Sequence, residues 1–170
     1  MIPPGEIRFG ADRHLGRLAR LLRLLGYDTL YSPSVSVGRL KEWAAREGRI
    51  ILTRGRLGKR FAGVPGVFGV RSEVAAEQLR EVVGHFALDT SSGLWTRCTL
   101  CNGVIEKVER VSVASELDPK IFNLYEEFFR CASCRHVYWR GSHVDRILQN
   151  LKQWQVGGGN REQEEMMNDE

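Results

Sequence analysis

The sequence predicts a mixed α/β chain, a mainly parallel sheet flanked by helices, followed by a small C-terminal unit organised by four cysteines. Two observations carry this. Short apolar or β-branched runs alternate with segments of helical periodicity through residues 7–86, the rhythm of a parallel sheet with functional groups gathered beyond the strands' carboxyl ends. Beyond them, Cys98, Cys101, Cys131 and Cys134 fall in two Cys-x-x-Cys pairs, a spacing suited to one metal ion.

Residues 7–12, Ile-Arg-Phe-Gly-Ala-Asp, read as a strand ending on Asp12, whose carboxylate is placed to cap the helix after it. From Arg13 to Leu25 the apolar residues Leu15, Leu18, Ala19, Leu22 and Leu25 recur at helical spacing, and Gly26 stops the run. Arg13, Arg17 and Arg20 then form a stripe of guanidinium groups on the opposite face of that helix. Residues 28–31 suit a second strand, 39–46 a second helix and 49–53 a buried strand, Arg-Ile-Ile-Leu-Thr. A further strand is expected over 66–70 and a further helix over 74–86. The polar break at 89–93, Asp-Thr-Ser-Ser-Gly, gives a boundary between units 1–93 and 94–154. Residues 155–170, with three consecutive glycines and five acids against one arginine, have the composition of a disordered acidic tail.

The two knuckles imply a structural zinc site. A thioredoxin-like redox motif needs one Cys-x-x-Cys, and disulfides are rare in the reducing cytoplasm. Four thiolates close the coordination sphere, so no position remains for a reactive water. His136 and His143 are therefore read as surface or substrate-facing residues. Phe128, Phe129, Val137, Tyr138 and Trp139 suit a β-ribbon around the second knuckle, and a helix from Asp118-Pro119 through Phe129 would absorb the long spacer between the pairs.

At 170 residues and 42% hydrophobic, the chain suits one core with a small appended one, which excludes a long multi-domain enzyme. No apolar run approaches the roughly 20 residues of a membrane span. The Met-Ile-Pro-Pro-Gly-Glu start lacks the regions of a signal peptide, so a cytoplasmic location is expected. The formal charge of +4 conceals an imbalance: residues 1–60 carry 13 Lys+Arg against 5 Asp+Glu, a net of +8, leaving −4 for the remainder. A basic portion of this kind suggests a polyanion, most readily nucleic acid.

Four blocks in order, Asp12-Arg-His-Leu-Gly-Arg-Leu-Ala-Arg-Leu-Leu-Arg-Leu-Leu-Gly-Tyr-Asp28, Gly48-Arg-Ile-Ile-Leu-Thr-Arg54, Arg97-Cys-Thr-Leu-Cys-Asn102 and Tyr138-Trp-Arg-Gly-Ser-His143, resemble the Mut-seven C-terminal RNase domain family over roughly residues 7–150. The resemblance implies a PIN-like nuclease domain followed by a zinc ribbon. It also implies acidic residues at strand ends that hold Mg²⁺ or Mn²⁺, because hard cations require several oxygen ligands. Asp12 matches the first acidic position of that pattern. The next two fall on Val37 and Gly55, which offer no ligand. Glu42, Glu47, Glu73 and Glu77 are the other acids available, each read as a solvated helix or loop residue; Asp28 is read as a turn or cap former.

Where acids are missing the sequence supplies base: Arg54, Arg56, Lys59 and Arg60 surround the expected site. Cations contact phosphate and do not assemble a Mg²⁺ site. The preferred reading is an RNA-binding protein on a nuclease scaffold, with cleavage lost or reduced and single-stranded RNA as partner. In the ribbon, Tyr138 and Trp139 are suited either to stacking unpaired bases or to packing the ribbon, with Arg135, Arg140 and His143 toward phosphate. The alternatives are an active endoribonuclease using Mg²⁺ or Mn²⁺, and a protein-interaction adaptor without RNA affinity.

Overall fold

The computed structural model describes residues 1–54, 59–141 and 149. Four short strands, β1 (Phe9–Ala11), β2 (Thr29–Tyr31), β3 (Ile50–Arg54) and β4 (Val67–Val70), form a parallel sheet in the order β2-β1-β3-β4. Helices α1 (Gly16–Leu24), α2 (Val37–Glu47) and α3 (Ala75–Phe86) connect or follow these strands.

Strand alternation decides which helix covers which face. Phe9 and Ala11 of β1 and Leu52 of β3 point into a core with Leu15, Leu18, Leu22 and Leu25 around α1 and Leu79 and Val82 of α3. Ile51 points the other way, onto Leu40, Trp43 and Ala44 of α2. Gly10 lies beneath Trp43, where a Cβ would sit 2.9 Å from the indole. The sheet is thus sandwiched between α1 with α3 and α2. Among the described residues no helix is long and apolar enough to cross a membrane.

Helix α1 begins three residues later than its periodicity suggests, because residues 12–15 form a turn that precedes it. Leu15 is the N-cap residue, without a side-chain cap bond. Asp12 instead accepts from the His14 N–H at 2.8 Å, so it caps this turn and not the helix. Arg13 consequently lies outside the helix, and the expected three-arginine stripe is reduced to Arg17 and Arg20. Arg23, one step further along, is buried.

Gly26 ends α1 with φ +91, and its Cα abuts the chain after α3: a Cβ there would lie 2.2 Å from the Gly93 carbonyl oxygen. That backbone cannot yield like a side chain. Gly26→Ala is therefore expected to cost more than about 1 kcal/mol in a denaturant melt, through both the positive φ and the clash. The polar break at 89–93 is an ordered turn. Hydrogen bonds from Ser92 and Ser91 hold the Asp89 carboxyl at a pKa of about 2, and the Asp89 N–H donates to the Ile2 carbonyl at 2.9 Å.

A second, antiparallel sheet comes next, in the order β5-β6-β7, from β5 (Ile105–Val108), β6 (Phe128–Cys131) and β7 (Val137–Trp139). Between β5 and β6, α4 (Pro119–Leu124) starts on Asp118, whose carboxylate accepts from the Lys120 N–H at 2.7 Å. This helix is shorter than the expected 118–129 span. Tyr125 turns extended, and Phe128 and Phe129 join the sheet opposite Trp139 and Tyr138, where Phe128 is fully buried with Val113 and Val137. Residues 155–170, expected to be an acidic tail, lie outside the described residues.

Candidate metal centre and strand-end site

The turns that come after Arg97 and before His136 bring the four cysteines together. Each Sγ lies within 4.8 Å of the others; Cys98 and Cys134 are 3.6 Å apart and Cys101 and Cys131 3.4 Å. Thiolates bound at about 2.3 Å to one tetrahedral ion would be roughly 3.8 Å apart, so this donor set fits a single metal ion. The surrounding backbone is arranged to support thiolates: the Cys101 N–H donates to Cys98 Sγ, Gly103 to Cys101, and Cys134 to Cys131, each at 3.4 Å. Burial disfavours the Cys98 thiolate, but hydrogen bonds from Tyr138 Oη and the Cys101 and Leu100 amides outweigh it and lower the thiol pKa to about 6. Asn102 and Arg135, immediately after the knuckles, take positive φ, which turns the chain back around the site. Arrangements of this kind are consistent with a zinc ribbon.

The first knuckle is also the point at which the ribbon is joined to the parallel sheet. The Arg23 guanidinium donates to the Thr29 carbonyl at 2.8 Å and, across the junction, to those of Thr99 at 3.1 Å and Leu100 at 2.9 Å. Asn102 accepts from the Thr29 N–H at 3.0 Å and donates to Asp28 Oδ1 at 2.8 Å. Asp28 further receives Arg49 at 2.7 Å and 3.2 Å and lies 3.5 Å from Arg97. Asp28 is therefore the hub of a network between the two sheets, not a turn or cap former. Burial raises its pKa, but hydrogen bonds from Arg49 and Asn102 and the charges of Arg49 and Arg97 prevail and hold it below the ordinary carboxylate range.

At the carboxyl edge of the parallel sheet, the Asp12 carboxylate is buried. Oδ2 accepts from the Thr53 hydroxyl at 2.5 Å and the Arg54 N–H at 3.0 Å, and Oδ1 from the His14 N–H. Arg54 turns its guanidinium to Glu73, after β4. Val37 opens α2 at the same edge, behind the Ser36 cap, and packs toward Leu40 and Trp43. Glu42 pairs with Arg39 and Arg46, Glu47 with Arg49, and Glu77 with Arg80, so every acid considered as a substitute ligand already faces an arginine. Among the described residues the four cysteines are the one group of three or more potential ligand side chains. Among the described residues no group of three such ligands lies at the strand ends.

The candidate phosphate contacts are dispersed. Arg17 and Arg20 project from α1, Arg13 donates to the His14 ring at 3.2 Å, Arg60 stacks on Phe61, and Arg140 comes directly after β7. Arg56, His143, Gly55 and the side chain of Lys59 lie outside the described residues. Sequence reasoning missed Arg23, Arg97 and Asn102. The first hides within an arginine-rich helix, and the helical phase that places Leu22 in the core was the signal for it.

A parallel α/β sheet thus carries, joined through its first helix, a four-cysteine unit able to hold one metal ion. The family model described as Mut7-C RNAse domain matches residues 7–151, and the chain belongs to that family. Comparison with curated proteins and with solved structures returned no match.

Proposed function

We propose that this protein binds single-stranded RNA through a nuclease-derived scaffold that has lost or greatly reduced cleavage, with zinc as the structural ion of its ribbon. The observation that carries this reading is the state of Asp12. Its oxygens receive three hydrogen bonds from Thr53, Arg54 and His14, and the Glu73 carboxylate is taken by the Arg54 guanidinium. A catalytic cation needs several carboxylate oxygens open to it. Here the Arg54 backbone N–H is bonded to Asp12 and its guanidinium to Glu73, and the remaining positions of the family pattern carry Val37 and Gly55. Asp12 on this reading secures β1 to β3.

RNA as the partner is supported by the family and by the net +8 of residues 1–60. The exposed Arg17 and Arg20 are the proposed phosphate contacts, joined by Arg13, Arg54, Arg56, Lys59, Arg60, Arg140 and His143. The proposed division into units 1–93 and 94–154 is compatible with two separate sheets, and cysteines held as metal-binding thiolates instead of disulfides suit a cytoplasmic location.

A salt titration tests the binding. Affinity for a short oligouridylate is expected to fall steeply between about 50 and 200 mM salt, and Arg17→Glu with Arg20→Glu to weaken binding to all RNA sequences alike. Absence of RNA binding at low salt would remove the reading in favour of an adaptor.

A further inference from the structure

Between α1 and the ribbon lies a groove of about 580 Å³ that the strand-end site does not include. Trp95, Tyr138 and Trp139 form its ribbon wall, and Leu21 and Leu24 of α1 its other side. Arg17 and Arg20 stand on the α1 side, exposed and in no ion pair among the described residues. Among the described residues no acid lines it.

The rings are held in place before any ligand arrives. Trp95 stacks on Phe129 at 5.9 Å with an interplanar angle of 16°, and its positive φ turns it out of the chain's course. Tyr138 is fixed by its hydroxyl to Cys98 Sγ at 3.0 Å and Thr99 Oγ1 at 3.3 Å. Trp139, next along β7, packs on the other side of the ribbon with Val113, Phe128 and Val137 and leans on Tyr125 at 6.3 Å. Arg97 belongs to the groove as a support: it donates to the Asn102 carbonyl at 2.9 Å and pairs with Asp28.

We propose that this groove receives unpaired bases of a single-stranded RNA, which stack on the fixed rings of Trp95 and Tyr138 while the adjoining phosphates lie on Arg17 and Arg20. The inference rests on the RNA-binding reading and assigns that reading a site. Charge decides the occupant. Flat aromatic walls beside two exposed guanidinium groups, with no carboxylate among the described lining residues, match a ligand that is aromatic and anionic at each repeat. The volume lies within the roughly 300–1,000 Å³ of small-ligand pockets, enough for bases and too small for a duplex. Because the wall is built on the metal-bound knuckle through Tyr138, the groove requires the metal centre to keep its shape.

Photo-cross-linking the full metal-loaded chain to an oligouridylate containing 4-thiouridine tests this without altering the protein. Cross-links are expected in the peptides holding Trp95 and Tyr138–Trp139, and to be competed by single-stranded oligomers, not by duplex. RNA that binds with the expected salt dependence but cross-links exclusively elsewhere overturns the groove and leaves the RNA-binding reading standing. No RNA binding at all defeats both, and would favour an acidic peptide as occupant. As a second measurement, Arg20→Ala and Trp95→Leu, each checked for full metal content, are expected to weaken binding about 5- to 100-fold for the ring and less for the single cation. Unchanged affinity in both metal-replete variants overturns the proposal.

Discussion

Stripping the metal from the four-cysteine site, by a strong chelator or by Cys131→Ser with Cys134→Ser, is expected to unfold the ribbon and to destabilise the parallel sheet as well. Structural zinc contributes roughly 10–16 kcal/mol of apparent binding free energy in small peptides at neutral pH. Apart from the cysteines, the ribbon buries little beyond Ile105, Val113, Phe128 and Val137 to replace it. The effect passes across the junction because Thr99 and Leu100, within the first knuckle, accept hydrogen bonds from the buried Arg23. Each hydrogen bond to a charged group is worth about 1.5–3 kcal/mol, and Arg23 without them is a buried cation with one remaining acceptor, Thr29. Amide exchange of α1 should therefore accelerate in the metal-free protein, alongside a lower melting temperature. A metal-free chain that melts unchanged would show that the cysteines do not hold a structural ion.

The second large effect concerns Asp28. Asp28→Ala leaves the Arg49 guanidinium, 5% exposed, with Glu47 as its remaining acidic partner, and also removes the acceptor of Asn102. Breaking one side of a buried pair costs about 3–5 kcal/mol; the lower end is expected here, since Asp28 is 17% exposed. The pH dependence has a definite sign. A carboxyl whose folded pKa is depressed contributes stability that is present above its unfolded value, about 3.9, and is lost as pH falls through the folded value. Wild-type stability should thus decline below about pH 4, and the Asp28→Ala protein should start lower at pH 7 and show a shallower acid limb. Urea melts at pH 7, 4 and 3 measure this. Equal acid limbs would assign the network no role in holding the ribbon to the sheet.

The strands and helices of the parallel sheet layer are legible because their burial follows simple periodicity: Leu15, Leu18, Leu22 and Leu25 for α1, and the Ile-Ile-Leu run of β3. The cysteine cluster is legible because the ligand pairs are local in sequence. What periodicity does not contain is the pairing of residues far apart. Arg23 reads as one more surface arginine until Thr99 and Leu100 are placed over it, some 76 residues later. Asp28 reads as a turn former until Asn102 and Arg97 arrive. The overlong helix before β6 has a different origin. Phe128 and Phe129 continue a helical-looking run, but pairing with Trp139 and Tyr138 buries Phe128 completely, and tertiary packing outweighs local propensity.

Asp12 shows the same limit at the strand-end site. The sequence marks it as the surviving acid of a metal-binding pattern, while its occupation by Thr53, Arg54 and His14 depends on the register of β1 against β3, Ala11 opposite Leu52. Val37→Asp would put a carboxylate at the first position of α2, where the helix N-terminus favours negative charge. Together with Gly55→Asp it is expected to raise Mn²⁺ affinity, measurable by calorimetry.

The most direct measurement is incubation of the zinc-replete protein with a labelled single-stranded oligoribonucleotide in Mn²⁺, with binding and strand integrity monitored in the same samples. The account predicts RNA that is bound, in a salt-dependent manner, and remains intact. Mn²⁺-dependent cleavage by the unmodified protein that disappears in Asp12→Asn would contradict it and make the protein an active ribonuclease.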